Sequence, residues 1–386
     1  MSGSGFFRSR WVEPPAGIEE LAPGALAPGF RAAGVACGLK GGGETDLAIV
    51  ACDAEQVASA LLLTRNAAAA APVRVCRERT EAAAIRAAVV NSGNANAATG
   101  EQGYADALRM RDETAAALGL PAETVAVAET GVIGVPLDVE SVSRGIDDAA
   151  ASLSAEGGSR FTAAISTTDR WPKQVAVRCG GVTLSAQAKG AGMIEPGFAT
   201  MLCFVQTDAA LAEPEATLRA AAETSFERIT VDGQMSTNDT LLLQATGAAR
   251  VSLPAGLLDA VLLQLAIEVL ADGEGATRVG RVLVRGGGSA EEAERVARAI
   301  ANSPLVKTAL YGRDSNWGRI AQAAGMALAG EELDELGPAE IDAAELAADG
   351  REAELTVELG RGDGEAHVYF SDLTHDYVSL NAEYTT

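Results

Sequence analysis

The stretch of this chain best suited to chemistry is Lys189-Gly-Ala-Gly-Met-Ile-Glu-Pro-Gly-Phe-Ala-Thr200-Met-Leu. A lysine, three glycines and a proline lead into a small residue and a hydroxyl, placed at the mouth of the apolar run 201–205. Such a hydroxyl could be a nucleophile for acyl transfer. By chemistry alone the better reading is a threonine that starts a strand, where β-branched side chains are common. Nucleophilic use requires a base, because a threonine hydroxyl attacks poorly until its proton is taken. The two histidines, His367 and His375, offer little material for a serine–histidine triad or for histidine-based metal chemistry, and there is no H-E-x-x-H.

Other reactive groups point away from metals and redox. Cys37, Cys52, Cys76, Cys179 and Cys203 are odd in number and lack C-x-x-C spacing, so reduced, mostly buried thiols are expected rather than disulfides or a zinc site. No metal and no cofactor is expected. Arg285-Gly-Gly-Gly288-Ser289 enters a helix-like stretch, 290–301, and helix N-termini bind anions. Without a Lys-Ser/Thr behind the glycines, a plain strand-to-helix connection is the better reading.

Those residues must be held by a large α/β scaffold. The chain has 386 residues, of which 48% are apolar but only 4% aromatic, so Ala, Val and Leu must fill the core. That length suits one large domain or two packed ones. Residues 1 to about 28 read as irregular. Strands are expected at 46–51, 87–91 and 124–128, and helices at 54–64 and 101–118, the second stopped by Gly119 and Pro121. A helix at 139–153 precedes strands at 161–165, 174–178 and 182–188. Beyond Thr200 come the run 201–205, helices at 214–227 and 254–270, a buried strand at 279–284, and strands at 354–358, 366–370 and 377–381. The mixture predicts a layered α/β sandwich; a doubly wound nucleotide fold would need a Gly-rich turn directly after the first strand.

The formal charge of −23 argues against nucleic-acid binding, which relies on clustered Lys and Arg. No uncharged apolar stretch reaches the length of a membrane span, and the first residues lack a signal-type apolar core, so a soluble, cytoplasmic protein is expected.

The segment K-G-A-G-M-I-E-P-G-F-A-T-M-L resembles the cleavage-site signature of the ornithine acetyltransferase (glutamate N-acetyltransferase) family. Further matches are N-S-G-N-A-N-A-A-T-G at 91–100, T-G-V-I-G at 130–134, T-T-D at 167–169 and I-T-V-D-G-Q-M-S-T-N-D-T at 229–240. D-G-E-G-A-T at 272–277, N-S-P-L-V-K-T-A-L-Y-G-R-D-S-N-W-G-R-I at 302–320 and N-A-E-Y-T-T at 381–386 complete the resemblance, which covers nearly the whole chain. It departs at Ala98 where Cys is expected, at Gln234 and Met235 where Asp and Thr are expected, and at Glu195 where many members carry Ala or His.

The resemblance implies an N-terminal-nucleophile-like sandwich that cuts itself between Ala199 and Thr200, giving an α chain of residues 1–199 and a β chain of 200–386. The freed α-amino group of Thr200 would be the base. Thr200 would take the acetyl group from N-acetylornithine and pass it to glutamate in a ping-pong reaction, with the Thr130 hydroxyl and Gly131 N–H forming the oxyanion hole. Thr167, Lys189, Thr200, Glu274, Asn381 and Thr386 would bind the amino-acid substrates. Two α and two β chains would assemble. Some members also use acetyl-CoA; recycling alone is the reading taken here, while service to arginine synthesis or to a specialised pathway stays open. The rivals are an N-terminal-nucleophile aminopeptidase or amidase, which passes the acyl group to water, and a silent relative that binds acetylated amino acids.

Overall fold

The computed structural model of the chain describes residues 5–195 and 201–383. Long apolar runs with no polar alternation need cover on both faces, and the central sheet has that surrounding. Its six strands lie in the order Glu19–Glu20, Lys173–Cys179, Val182–Lys189, Leu202–Thr207, Thr240–Ala245 and Ala58–Leu63. All neighbours are antiparallel except Leu202–Thr207 with Thr240–Ala245, which run parallel.

Alternate residues divide this sheet between two cores, because successive side chains leave opposite faces. Met201, Cys203, Val205, Leu241 and Leu243 pack with the helices Pro214–Glu223 and Leu257–Ala271. Leu202, Phe204 and Leu242 face a four-stranded sheet of Phe30–Val35, Leu47–Cys52, Ala87–Asn91 and Val125–Glu129. Phe161, from the helix Gly158–Ile165, meets Phe204 edge-on at 5.2 Å where the layers join. Helices Gly100–Leu118 and Val139–Ala151 contribute to the same core. The layered sandwich expected from the pattern is therefore present.

A third sheet, Ile229–Thr230, Gly364–Ser371, Val279–Gly287, Glu352–Glu358 and Ile341–Asp342, carries its own core with Ala290–Asn302, Pro304–Gly312 and Trp317–Ala327. The glycine-rich turn at 286–288 is a plain connection: Ser289 Oγ accepts the Glu292 N–H, and Glu292 Oε1 accepts the Gly288 N–H at 2.9 Å. The anion at this helix N-terminus is thus the chain's own Glu292. All five cysteines are free, four of them buried. No helix among the described residues is long and apolar enough to cross a membrane.

Three expected elements change type. Residues 54–64, expected helical, contain the strand Ala58–Leu63, paired antiparallel with Thr240–Ala245 from Leu63 opposite Thr240 to Ala58 opposite Ala245. Good helix formers here complete a sheet edge, where pairing outweighs intrinsic propensity. Residues 161–165, expected as a strand, belong to the helix Gly158–Ile165. Phe161, Ala164 and Ile165 occupy one buried face at helical spacing, which a five-residue apolar run cannot distinguish from a strand. Its close approach needs Gly34, whose added Cβ would lie 2.1 Å from the Arg160 carbonyl oxygen. Residues 377–381 lie in the helix His375–Glu383, started by the Thr374 hydroxyl, which accepts the Tyr377 N–H.

Candidate active site

The signature segment begins at the end of Val182–Lys189, a strand buried along its whole length. Lys189 pairs opposite Leu202, and Leu202 opposite Thr240, so three adjacent strands end level with one another. From this row the Lys189 ammonium donates to the Thr130 hydroxyl at 3.3 Å. Burial lowers the Lys189 pKa, as do the Lys173 and Lys40 charges, while Asp169 and Glu274 act the other way.

Thr130 and Gly131 follow the strand Val125–Glu129 and are held from the neighbouring strand's turn. The Thr130 N–H donates to the Asn91 carbonyl at 3.0 Å. Asn91 Oδ1 accepts the N–H groups of Gly93 at 3.2 Å and Asn94 at 3.0 Å, which shapes a tight turn. Gly131 packs on that turn at φ +133°, and a Cβ there would stand 2.5 Å from the Gly93 carbonyl carbon and 2.6 Å from Asn94 N. Only glycine fits. Beneath it lies Glu129, wholly buried, accepting Asn91 Nδ2 at 2.5 Å and Asn96 Nδ2 at 2.9 Å. Burial pushes its carboxyl up to about 8 against the opposing pull of these two amides.

A buried ion cluster joins the other predicted residues. Lys173 Nζ lies 2.6 Å from Asp169 Oδ1 and 2.5 Å from Asp272 Oδ2. Asp169 also accepts the Gly190 N–H at 2.9 Å and the Thr167 N–H at 3.0 Å, tying the Thr167 loop to the turn after Lys189. Burial would raise the Asp169 pKa, but Lys173 and Lys189 with these hydrogen bonds hold it at about 2. Glu274 accepts the Asn381 amide at 2.9 Å and the Thr168 hydroxyl at 3.2 Å, and its N–H donates to the Ala191 carbonyl. Gly192 allows this approach, since a Cβ there would meet the Glu274 carboxylate at 2.8 Å.

Two aspartates anchor the chain on either side of residues 196–200. Asp232 accepts the N–H groups of Met193 at 2.7 Å and Ile194 at 2.9 Å, and Asp239 accepts that of Met201 at 3.3 Å. Ala199, Thr200 and Thr386 lie outside the described residues. The remaining candidates divide into linked groups: Thr130 and Gly131 with Lys189, and Thr167 and Glu274 with Asn381 through the turn 189–192. Sequence reasoning passed over Glu129, Asp169, Asp232, Asp239, Lys173 and Asp272 as functional supports. The signal was available for several, since Asp169 ends T-T-D and Asp239 stands in T-N-D-T, but spacing alone says nothing of what an aspartate anchors.

Comparison with known proteins agrees over nearly the full length. The ArgJ family model matches residues 31–386. The arginine biosynthesis bifunctional protein ArgJ of Symbiobacterium thermophilum is 45% identical, covering 96% of this chain and 100% of the relative. Its counterpart from Geobacter sulfurreducens is 44% identical over 93% of this chain and 99% of the relative. Among solved structures, the ornithine acetyltransferase of Mycobacterium tuberculosis complexed with ornithine is 37% identical, covering 46% of this chain and 98% of that one, with a TM-score of 0.44. The chain belongs to the ArgJ family.

Proposed function

We propose that this chain transfers an acetyl group from N-acetylornithine to glutamate through an acetyl-Thr200 intermediate, after cutting itself between Ala199 and Thr200. Membership of a family whose relatives are named for arginine biosynthesis supports the reaction class. The observation that carries the assignment to a site is the Lys189–Thr130 hydrogen bond, at the level where Leu202 begins its strand. It joins the signature segment to the T-G motif 59 residues away.

Hydrolysis of the Ala199–Thr200 bond leaves a carboxylate on Ala199 and an α-amino group on Thr200. That amine has a reference pKa of about 7.7–8.0, suited to proton exchange near neutrality. It takes the hydroxyl proton as Oγ bonds to the acetyl carbon. The carbonyl oxygen gains the negative charge and is met by the Thr130 hydroxyl and Gly131 N–H. Because Thr130 Oγ1 accepts from the Lys189 ammonium, its own hydrogen is free for the oxyanion, and the nearby charge strengthens that donor. Collapse breaks the amide C–N bond, ornithine departs with the proton, and glutamate's amine repeats the sequence in reverse.

Thr167, Lys189, Glu274, Asn381 and Thr386 would bind the charged ends of the two amino acids, with no cofactor required. The 1–199 and 200–386 fragments share cores across the cut, since strands Val182–Lys189 and Leu202–Thr207 are paired, and would remain together in a cytoplasmic assembly of two copies of each. The relatives' shared description as bifunctional favours a second reading beside recycling, in which acetyl-CoA is an additional donor.

The test is intact mass and N-terminal sequencing of the protein beside Thr200→Ala, with acetyl transfer to glutamate measured against hydrolysis. Two fragments, the second beginning Thr200-Met-Leu, and a single inactive mutant chain are expected. An uncut but active native protein would refute the mechanism, and acyl transfer to water alone would turn the assignment to an amidase.

A further inference from the structure

Asp239 carries an interaction that the uncut chain leaves unfinished. It immediately precedes the strand Thr240–Ala245, which runs parallel to Leu202–Thr207 with Thr240 opposite Leu202. Met201 and Asp239 are therefore level: the Thr240 N–H donates to the Met201 carbonyl at 3.1 Å, and the Met201 N–H donates to Asp239 Oδ1 at 3.3 Å. The side chain is wholly buried, yet Oδ2 has no hydrogen-bond partner among the described residues. Buried polar atoms are nearly always paired, so an orphaned carboxyl oxygen calls for an explanation.

Thr64 and Ser236 hydrogen-bond to the carboxyl, but no described group is paired with Oδ2. The Thr64 hydroxyl donates to the Ser236 carbonyl, and Lys189, the charge acting on Asp239 from the neighbouring strand, donates to Thr130. Burial raises the Asp239 pKa well above its usual value, against the Met201 N–H, Thr64, Lys189 and Ser236. Cleavage changes the inventory. It creates an amino group on Thr200, one residue before the N–H that Oδ1 already holds, and consecutive Cα atoms are only about 3.8 Å apart.

Resting on the reading of Thr200 as nucleophile, we propose that Asp239 receives the α-amino group created by self-cleavage, completing a series of hydroxyl, amine and carboxylate. The amine is the base, and Asp239 orients it and stabilises its protonated form, as the third member of a catalytic triad does for its base. In the cut protein Asp239 is the carboxylate that faces the amine. In each turnover the amine takes the Oγ proton, shares it as an ammonium hydrogen bond with Asp239, and returns it to the leaving nitrogen. Asp239 itself keeps no proton.

The experiment uses the cut protein and Asp239→Asn, with thermal unfolding as a check on folding. If the native protein is not cut at Thr200, the nucleophile reading fails and this inference fails with it. If it is cut, the expected result for the variant is kcat reduced at least about 100-fold, with KM for N-acetylornithine within about threefold. In addition, the acid limb of its kcat profile should move down by about one pH unit, because removing a nearby carboxylate lowers the amine pKa. A merely structural aspartate would not move that limb. Independently of any variant, the 15N-labelled Thr200 amine of the cut native protein should titrate above the reference range of about 7.7–8.0; this decides the matter if Asp239→Asn fails to fold or to cut. A folded, cut variant with native kcat and an unmoved acid limb, or a native amine titrating below that range, overturns the inference.

Discussion

Substituting Gly131 by alanine tests the oxyanion-hole assignment at the point where geometry is least forgiving. The new Cβ would lie 2.5 Å from the Gly93 carbonyl carbon and 2.6 Å from Asn94 N, all of them backbone atoms that cannot rotate away. Reaching an ordinary contact of 3.4 Å requires the two backbone segments to separate by roughly 0.9 Å, at a φ of +133° that alanine avoids. An oxyanion donor works at about 2.7–3.1 Å, so a shift of that size takes the residue 131 N–H out of hydrogen-bond range. Loss of one such donor costs about 2.7–4 kcal/mol in the barrier, or roughly 100- to 1,000-fold in kcat, with KM for N-acetylornithine little changed. Gly134→Ala is the control: its φ is +77°, but no atom lies within 4 Å of the new Cβ. It should lose about 1 kcal/mol of stability and little kcat. Steady-state acetyl transfer, with thermal unfolding of each variant, measures both. If Gly131→Ala keeps kcat within about threefold, or Gly134→Ala loses as much, the steric argument is wrong.

Three further outcomes follow from the ion cluster and the tail. The Asp169 carboxyl sits at about 2 in the folded chain, below the usual value of about 3.9. Its contribution is therefore present above about pH 4 and lost as pH falls toward 2, so denaturant titrations at pH 6 and pH 3 should show an acid-side loss that Asp169→Asn flattens. In the same cluster, Lys173→Met removes the buried ammonium shared by two carboxylates, leaving Asp272 with Arg170 and Asp169 with its backbone N–H groups, and should lower the unfolding free energy by about 3 kcal/mol at pH 7. Asn381 holds Glu274 through its amide, so Asn381→Ala or removal of 381–386 should raise KM for the amino-acid substrates severalfold without changing unfolding stability. Unchanged KM would remove both residues from the binding assignment.

Much of the scaffold was legible because hydrophobic pattern carries it. The helix expected at 101–118 appears as Gly100–Leu118, ended by Gly119 at φ +65°, and the strand expected at 182–188 as Val182–Lys189. Local chemistry determines such elements, through a glycine that accepts a left-handed backbone and apolar runs long enough to declare their period. The short runs at 54–64, 161–165 and 377–381 went the other way, since sheet edge, helix neighbour and hydroxyl cap lie outside the local window.

The site divides along the same line. Residue types and the resemblance picked out Thr130, Gly131, Lys189, Glu274 and Asn381, because a motif preserves the chemistry a site needs. Tertiary structure decided their relations: that Lys189 reaches Thr130 across 59 positions, that Gly131 has no room for a Cβ, and that Asp239 stands level with Met201. Those relations depend on strand register and on the depth of burial. Both are properties of how layers pack around a shared core, and no stretch of sequence contains them by itself.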